Sequence, residues 1–288
     1  MKKNLLSINE WGERILVALL FTAVAGSIIF MFSPWIPPSV LSRTDDYLAK
    51  IGVGLLLLAS ALLVRKISRF EKYWKILFAL FILTVAFSLE RIFGIYLIKH
   101  LGVTDSTPAG WALPKLNECF VAVSVIVIFT LLSGDSLGSI YIQKGNLKLG
   151  LIIGLVAFSI FAAGAIPMAS LFNAQNLSLT RIILWTPWVL IYVLANGAME
   201  EMLFRGLFLR KLEPLVGKYL SIFLLAFIFT GLHFWVSYTA DNRIFLAVTF
   251  PLALALGYIM HRTDSAWGST LLHAGMDIPI MIGIFSNL

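Results

Sequence analysis

The 288-residue chain reads as an all-α, polytopic transmembrane helix bundle, and three observations predict this class. Hydrophobic residues make up 59% of the chain and charged residues only 13%, against roughly 25% charged in soluble domains. The mean hydropathy is +0.91. Apolar runs of about 20 residues, enough to carry a helix across the hydrocarbon, recur from end to end. They are apolar all round, whereas a closed barrel needs alternating segments of about ten residues.

About nine spans follow in order. The first lies near 15–34. Lys2 and Lys3 before it and Ala23-Val24-Ala25 within it imitate a cleavable signal, but Glu10 and Glu13 interrupt the basic region and the apolar run continues to Phe32. It therefore reads as a retained helix. The turn at Pro37-Pro38 leads to a second span near 48–64, and a basic connection to a third near 76–98. The third carries Glu90-Arg91, which reads as a structural or interfacial ion pair. Thr107-Pro108-Ala109-Gly110 reads as a turn before the fourth span, near 118–133, with Glu118 solvated at its outer start. Ser133-Gly134-Asp135 and Lys144-Gly145-Asn146 punctuate the way to the fifth, near 149–171. The remaining spans lie near 182–204, 219–237, 244–260 and 266–285. Trp35, Trp74, Trp111 and Trp267 read as interfacial anchors, and His100 and His261, at helix ends, as surface residues.

The formal charge of +7 is explained by membrane orientation, so no nucleic-acid partner is expected. With the N-terminus inside, 15 of the 22 Lys and Arg residues fall inside and 6 outside, leaving Arg91 within a span. That asymmetry follows the positive-inside rule and places the C-terminus outside. The single Cys119 excludes an internal disulfide and reads as a small buried hydrophobe.

Chemistry concentrates after residue 195. Each ionisable group at the bilayer centre costs roughly 2.5 kcal/mol or more, so such groups usually face a protein-lined cavity. On the sixth span Glu201 precedes Arg205 by four residues, the favourable order for an ion pair, while Glu200 is displaced by about 100° around a regular helix. Glu200 then faces a cavity, with Asn196 one turn earlier on the same side. The seventh span aligns Phe229 with His233, and the ninth aligns His273 with Asp277.

These residues resemble the CPBP family, the CAAX prenyl-protease type II and abortive-infection-like membrane proteins. Its motifs Glu-Glu-x-x-x-Arg, Phe-x-x-x-His and His-x-x-x-Asn/Asp correspond here to Glu200-Glu201 with Arg205, Phe229 with His233, and His273 with Asp277. The resemblance covers about residues 150–285. It divides the chain into N-terminal membrane helices of unassigned role, 1–148, and a catalytic membrane core, 149–288. It implies an intramembrane glutamic endopeptidase that needs no cofactor and acts on a membrane-associated protein or peptide tail; the charge bias puts Glu200 and Glu201 near the cytoplasmic face, and the compact chain points to a prokaryotic inner membrane. Glu200 would deprotonate a water, assisted by His233; His273 and its neighbour at 277 would serve the oxyanion; Glu201 and Arg205 would hold the helix. An ionised Asp277 only accepts hydrogen bonds, so orienting His273 is its favoured role. Two other readings stand beside this one. A zinc protease could use Glu200, His233 and His273 but lacks a His-Glu-x-x-His signature, and a non-enzymatic peptide-binding or immunity protein could use the same cavity.

Overall fold

The computed structural model describes residues 8–32, 43–236, 238–239 and 241–288. Lys2, Lys3, Trp35 and Pro37-Pro38 lie outside the described residues, as does the Arg91 side chain. The apolar runs form helices: α1 (Ile8–Phe32), α2 (Arg43–Arg65), α3 (Trp74–Leu101), α4 (Pro108–Leu132), α5 (Leu147–Ala163), the short α6 (Ala165–Ala169), α7 (Leu179–Glu200), α8 (Leu209–Val216), α9 (Lys218–Leu232), α10 (Asn242–Thr263) and α11 (Trp267–Ser286). Eight helical stretches are long and apolar enough to cross a membrane, and a ninth combines Leu147–Ala163 with Ala165–Phe172 across a 69° bend. The protein is an integral membrane helix bundle of the expected class. The bend falls at Gly164, three residues before Pro167, which lacks an N–H and whose ring would clash with the Ala163 carbonyl in a continued helix.

The fourth helix departs from expectation. It starts at Pro108, ten residues early, because Thr107 is its N-cap: Oγ1 accepts from Gly110 N at 3.1 Å, and Pro108 sits at the first helical position. The supposed turn is thus a helix start. Glu118 consequently lies within the helix, half-buried and paired with Lys115 at 2.5 Å, and is not an interfacial acid. His261, expected on the surface, pairs with Glu213 at 3.1 Å.

Contacts between connections identify the two ends of the bundle. At one end, Asn146 N donates to Thr263 O (2.6 Å), Ala266 N to Tyr141 O (3.1 Å), Lys75 pairs with Asp135 (2.6 Å), and Arg210 pairs with Asp264. At the other, Gln175 N donates to Ser286 Oγ (2.9 Å), Asn287 Nδ2 to Asn173 O (3.1 Å), and Phe172 packs on Tyr238. The first end gathers Arg14, Arg69, Lys72, Lys148, Lys211 and Lys218 and is the basic end; the second carries the connection 102–107 together with Val236, Tyr238 and Asp241.

α11 is the central helix, packed on α5 and α7. It runs parallel to α5, since Gly268 meets Gly150, Leu271 meets Gly154, and Gly275 meets Phe158. A Cβ on Gly275 would stand 2.7 Å from Phe158 Cα, so only glycine permits that approach. Large apolar side chains such as Leu56, Leu132 and Leu184 point outward, as expected where the solvent is lipid. Inside, two apolar clusters divide along α7: one ends at Val193, the other begins at Met199. Asn196 and Glu200 lie at the boundary.

Candidate functional site

α7 begins at an N-cap, Ser178, whose Oγ accepts from Arg181 N at 3.3 Å, and it buries Val189, Val193 and Asn196 along its length. The regular helix expected to run on through Arg205 stops at Glu200. There the backbone enters a π-helical turn, Glu201–Gly206, in which Leu207 N reaches back five residues to Met202 O at 2.9 Å. Such turns are rare and concentrate at functional sites. All six residues of the turn are buried.

The turn sends the two neighbouring acids to different partners. Glu201 is fully buried; its Oε1 accepts from Arg205 Nη1 at 2.5 Å and from His273 Nδ1 at 2.9 Å. Arg205 also donates to Ala253 O at 3.3 Å, and its guanidinium lies 4.7 Å from the Phe229 ring centre. Glu200 does not pair with Arg205 and meets His273 at the other ring nitrogen. Its Oε2 is buried, makes no hydrogen bond within the protein, and lies 3.4 Å from His273 Nε2.

His273 is thereby fixed. A carboxylate held by arginine can only accept, so Nδ1 carries a hydrogen and Nε2 points between Glu200 and Asp277, whose Oδ2 is 3.9 Å away. Asp277 Oδ2 accepts from Asn196 Nδ2 at 2.9 Å. The hydrogen bond that orients His273 therefore comes from Glu201, while Asp277 lies beside the other ring nitrogen. His233 donates from Nδ1 to the Phe229 carbonyl, one turn back, at 2.8 Å, which leaves Nε2 as its second polar atom. The Phe229 ring joins the parts: its centre is 4.6 Å from that of His233 and 5.7 Å from that of His273.

Two cavities meet at Glu200. One, of about 390 Å³, is lined by Trp111, Lys115, Glu118, Tyr192 and Glu200 among others. The second, of about 110 Å³, brings Glu200 together with Asn196, His233, His273, Asp277 and Tyr238. Every residue expected at the site thus lies in or against this region. Lys115 on α4 and Tyr238 before α10 come from stretches that no motif marked, and Tyr192 lies on α7 two turns before Glu200; the Lys-x-x-Glu spacing of Lys115 and Glu118 was the one signal in the fourth helix. Burial pushes the Tyr238 hydroxyl well above the usual phenol range, so it stays an O–H donor at the cavity edge.

The two cavities extend away from the basic end of the bundle. They reach Asp105 and Gly110 in one case and Val236 and Tyr238 in the other, all at the end opposite the basic one. Among the described residues none of 133–146, 207–217 or 264–266 lines either cavity. Ile140, Tyr141, Leu207, Leu209 and Leu212, each no more than 2% exposed, fill the basic end beneath the site. Among the described residues no group of three or more His, Cys, Asp and Glu side chains is arranged to hold a metal ion.

Residues 182–279 match the family model described as Type II CAAX prenyl endopeptidase Rce1-like. The matched stretch contains the acid pair, both histidines and Asp277. That family supports a membrane protease, a hydrolase acting on a peptide or protein substrate. No curated protein and no solved structure matches the chain.

Proposed function

We propose that the chain is an intramembrane endopeptidase of glutamate-activated-water type, seated in a prokaryotic inner membrane, a reading supported by the match of residues 182–279 to the Type II CAAX prenyl endopeptidase Rce1-like model. Residues 149–288 form the catalytic core, and the helices of 1–148 supply its outer wall. The observation that carries this reading is the Glu200 carboxylate: half-buried, with Oε2 buried and unbonded, 3.4 Å from His273 Nε2 and lining both cavities.

Glu200 takes a proton from a water, and the resulting hydroxide attacks the carbonyl carbon of the scissile peptide. His233 helps to hold that water, its tautomer set by the Phe229 carbonyl. The oxyanion forms beside His273, whose Nε2 donates to it as part of an imidazolium: Nδ1–H is given to Glu201, and the Glu200, Glu201 and Asp277 carboxylates around the ring offset its charge. Collapse breaks the C–N bond, and the proton held by Glu200 passes to the departing nitrogen. Glu201 and Arg205 keep His273 and the π turn in place. Asp277, held by Asn196, places negative charge next to the imidazole.

The decisive comparison is of protein termini in membranes of cells expressing wild-type or Glu200→Gln chains. New termini are expected with wild type only, and purified Glu200→Gln should keep its fold and bind substrate while losing cleavage by about 10²–10⁴, the range of a general base. Equal turnover would remove the mechanism, and identical termini in both cells would favour a peptide-binding protein. Activity is also expected to survive thorough chelation; activity restored only by zinc would promote a metal site.

A further inference from the structure

α1 and α3 both start at the basic end and run side by side, with Glu13 pairing with Lys72 and accepting from the Tyr73 hydroxyl. Over their first halves they do not close on each other, and a groove of about 320 Å³ is left between them. Its floor is the buried Phe21, Ile76 and Leu80, and its rim is Leu16, Leu20 and Val24, each at least 37% exposed. Apart from Glu13 and Tyr73 at one end, every described residue of the lining is apolar. From Glu13 to Val24 the helix rises about 16 Å, close to one leaflet of a hydrocarbon core about 30 Å thick. Beyond it Ala25, Ile28 and Leu83 are no more than 2% exposed, so the groove ends there, short of the larger cavity at Glu200. What fits an apolar groove of that length, open to hydrocarbon, is a phospholipid tail.

The polar end selects the headgroup. Glu13 receives both Lys72 and Tyr73 on Oε1, which leaves Oε2 without a partner among the described residues. The Arg69 guanidinium lies 5.6 Å from the ring centre of Phe70 at the same mouth, and among the described residues it has no carboxylate partner. An open acceptor beside two cations complements a headgroup that carries a primary ammonium and a phosphate. A choline headgroup has no N–H to give to Glu13, and a glycerol headgroup brings no cation. The groove also touches the catalytic half: Phe21 packs edge-on against Phe208 with ring centres 5.4 Å apart, and Phe208 lies two residues past the π turn.

We propose that the groove between α1 and α3 binds one ethanolamine phospholipid of the leaflet at the basic end, with its tail between Leu20 and Leu77, its ammonium on Glu13 and its phosphate on Lys72 and Arg69. The site is separate from the hydrolytic one and does not depend on that reading. A tail in the groove backs Phe21 against Phe208, and so steadies α1 against the end of the π turn.

The experiment places the full chain in phosphatidylcholine vesicles doped with a phospholipid that carries a mid-chain diazirine and an ethanolamine, choline or glycerol headgroup. After illumination the labelled residues are mapped by peptide mass spectrometry. The ethanolamine probe should label 16–24 and 70–80 more heavily than Leu56, Leu132 and Leu184, which are at least as exposed as Leu16 and Leu20. In the groove it should exceed the choline probe by about two- to fivefold, the worth of one exposed charge pair. Glu13→Gln should remove that preference while keeping the tail contact, and Leu20→Trp, which fills the groove from its rim, should remove the labelling itself. Label spread evenly over the lipid-facing helices would make the groove ordinary bilayer boundary and overturn the proposal. A glycerol probe that labels more than the ethanolamine one, or a preference unchanged in Glu13→Gln, would overturn the headgroup assignment and the proposal with it. Disulfide-linked dimers of a Cys119→Ser, Leu20→Cys chain, with no lipid label in the groove, would seat a second copy there instead.

Discussion

Glu200 and Glu201 are neighbours in sequence with opposite circumstances. Glu201 is fully enclosed, with Oε1 held by Arg205 and His273, whereas Glu200 has no arginine partner and lines both cavities. Glu201→Gln should therefore act mainly through structure. It strands the buried Arg205 charge, a loss of about 3–5 kcal/mol for a broken buried pair, and thermal unfolding in detergent should show it as a large drop in midpoint. Asp277 should behave differently. Asp277→Asn keeps an acceptor for Asn196 and should fold normally with partial activity, whereas Asp277→Ala leaves the Asn196 amide unpaired and should lose about 10²–10³ in rate. Combining it with His273→Ala should add little, because the two act as one unit; additive losses would place them in separate steps. The sequence made the acids, Asn196 and both histidines legible, since ionisable groups in apolar runs are expensive and helical spacing puts them on common faces. It did not reveal that Glu201 rather than Asp277 bonds His273. That choice is a matter of cross-helix distance, fixed by the π turn and the approach of α7 to α11.

That approach depends on one small residue. A Cβ on Gly197 would stand 3.0 Å from Thr270 O and 3.1 Å from Ala274 N, so even alanine must push α7 away from α11 three residues before Glu200. Gly197→Ala should weaken the packing by about 1–3 kcal/mol, as overpacking does, and reduce cleavage disproportionately by separating Glu200 from His273. Gly231→Ala, a helical position with open space around it, should leave both stability and turnover near wild type. Equal effects of the two changes would show that helix propensity, not the α7–α11 spacing, governs the site. The elements were legible wherever a run was long and uniformly apolar. They were misread where local capping chemistry outweighed composition: Thr107 and Pro108 start a helix that hydropathy alone placed ten residues later, and that shift hid Lys115 and Glu118 from the account of the site.

On the scale of the whole molecule, orientation hinges on the bent fifth span. A helix of 17 residues followed by a 69° bend could return to the side from which it came, giving eight crossings and both chain ends on one face. The connections argue for a full crossing. Just before the bent pair, Asn146 bonds Thr263 at the basic end; just after it, Asn173 bonds Asn287 and Phe172 meets Tyr238 at the opposite end. The parallel packing of α5 on α11, from Gly150–Gly268 to Phe158–Gly275, requires the same direction of travel. With nine crossings the Ile8 end of α1 lies at the basic end and the Ser286 end of α11 at the other, in agreement with the charge bias. Reporters fused after Lys72 and Lys211 should therefore read cytoplasmic, and one fused after Leu288 external. A cytoplasmic reading after Leu288, with Lys72 also cytoplasmic, would mean that the fifth span does not cross, and it would contradict the parallel course of α5 and α11 that places His273.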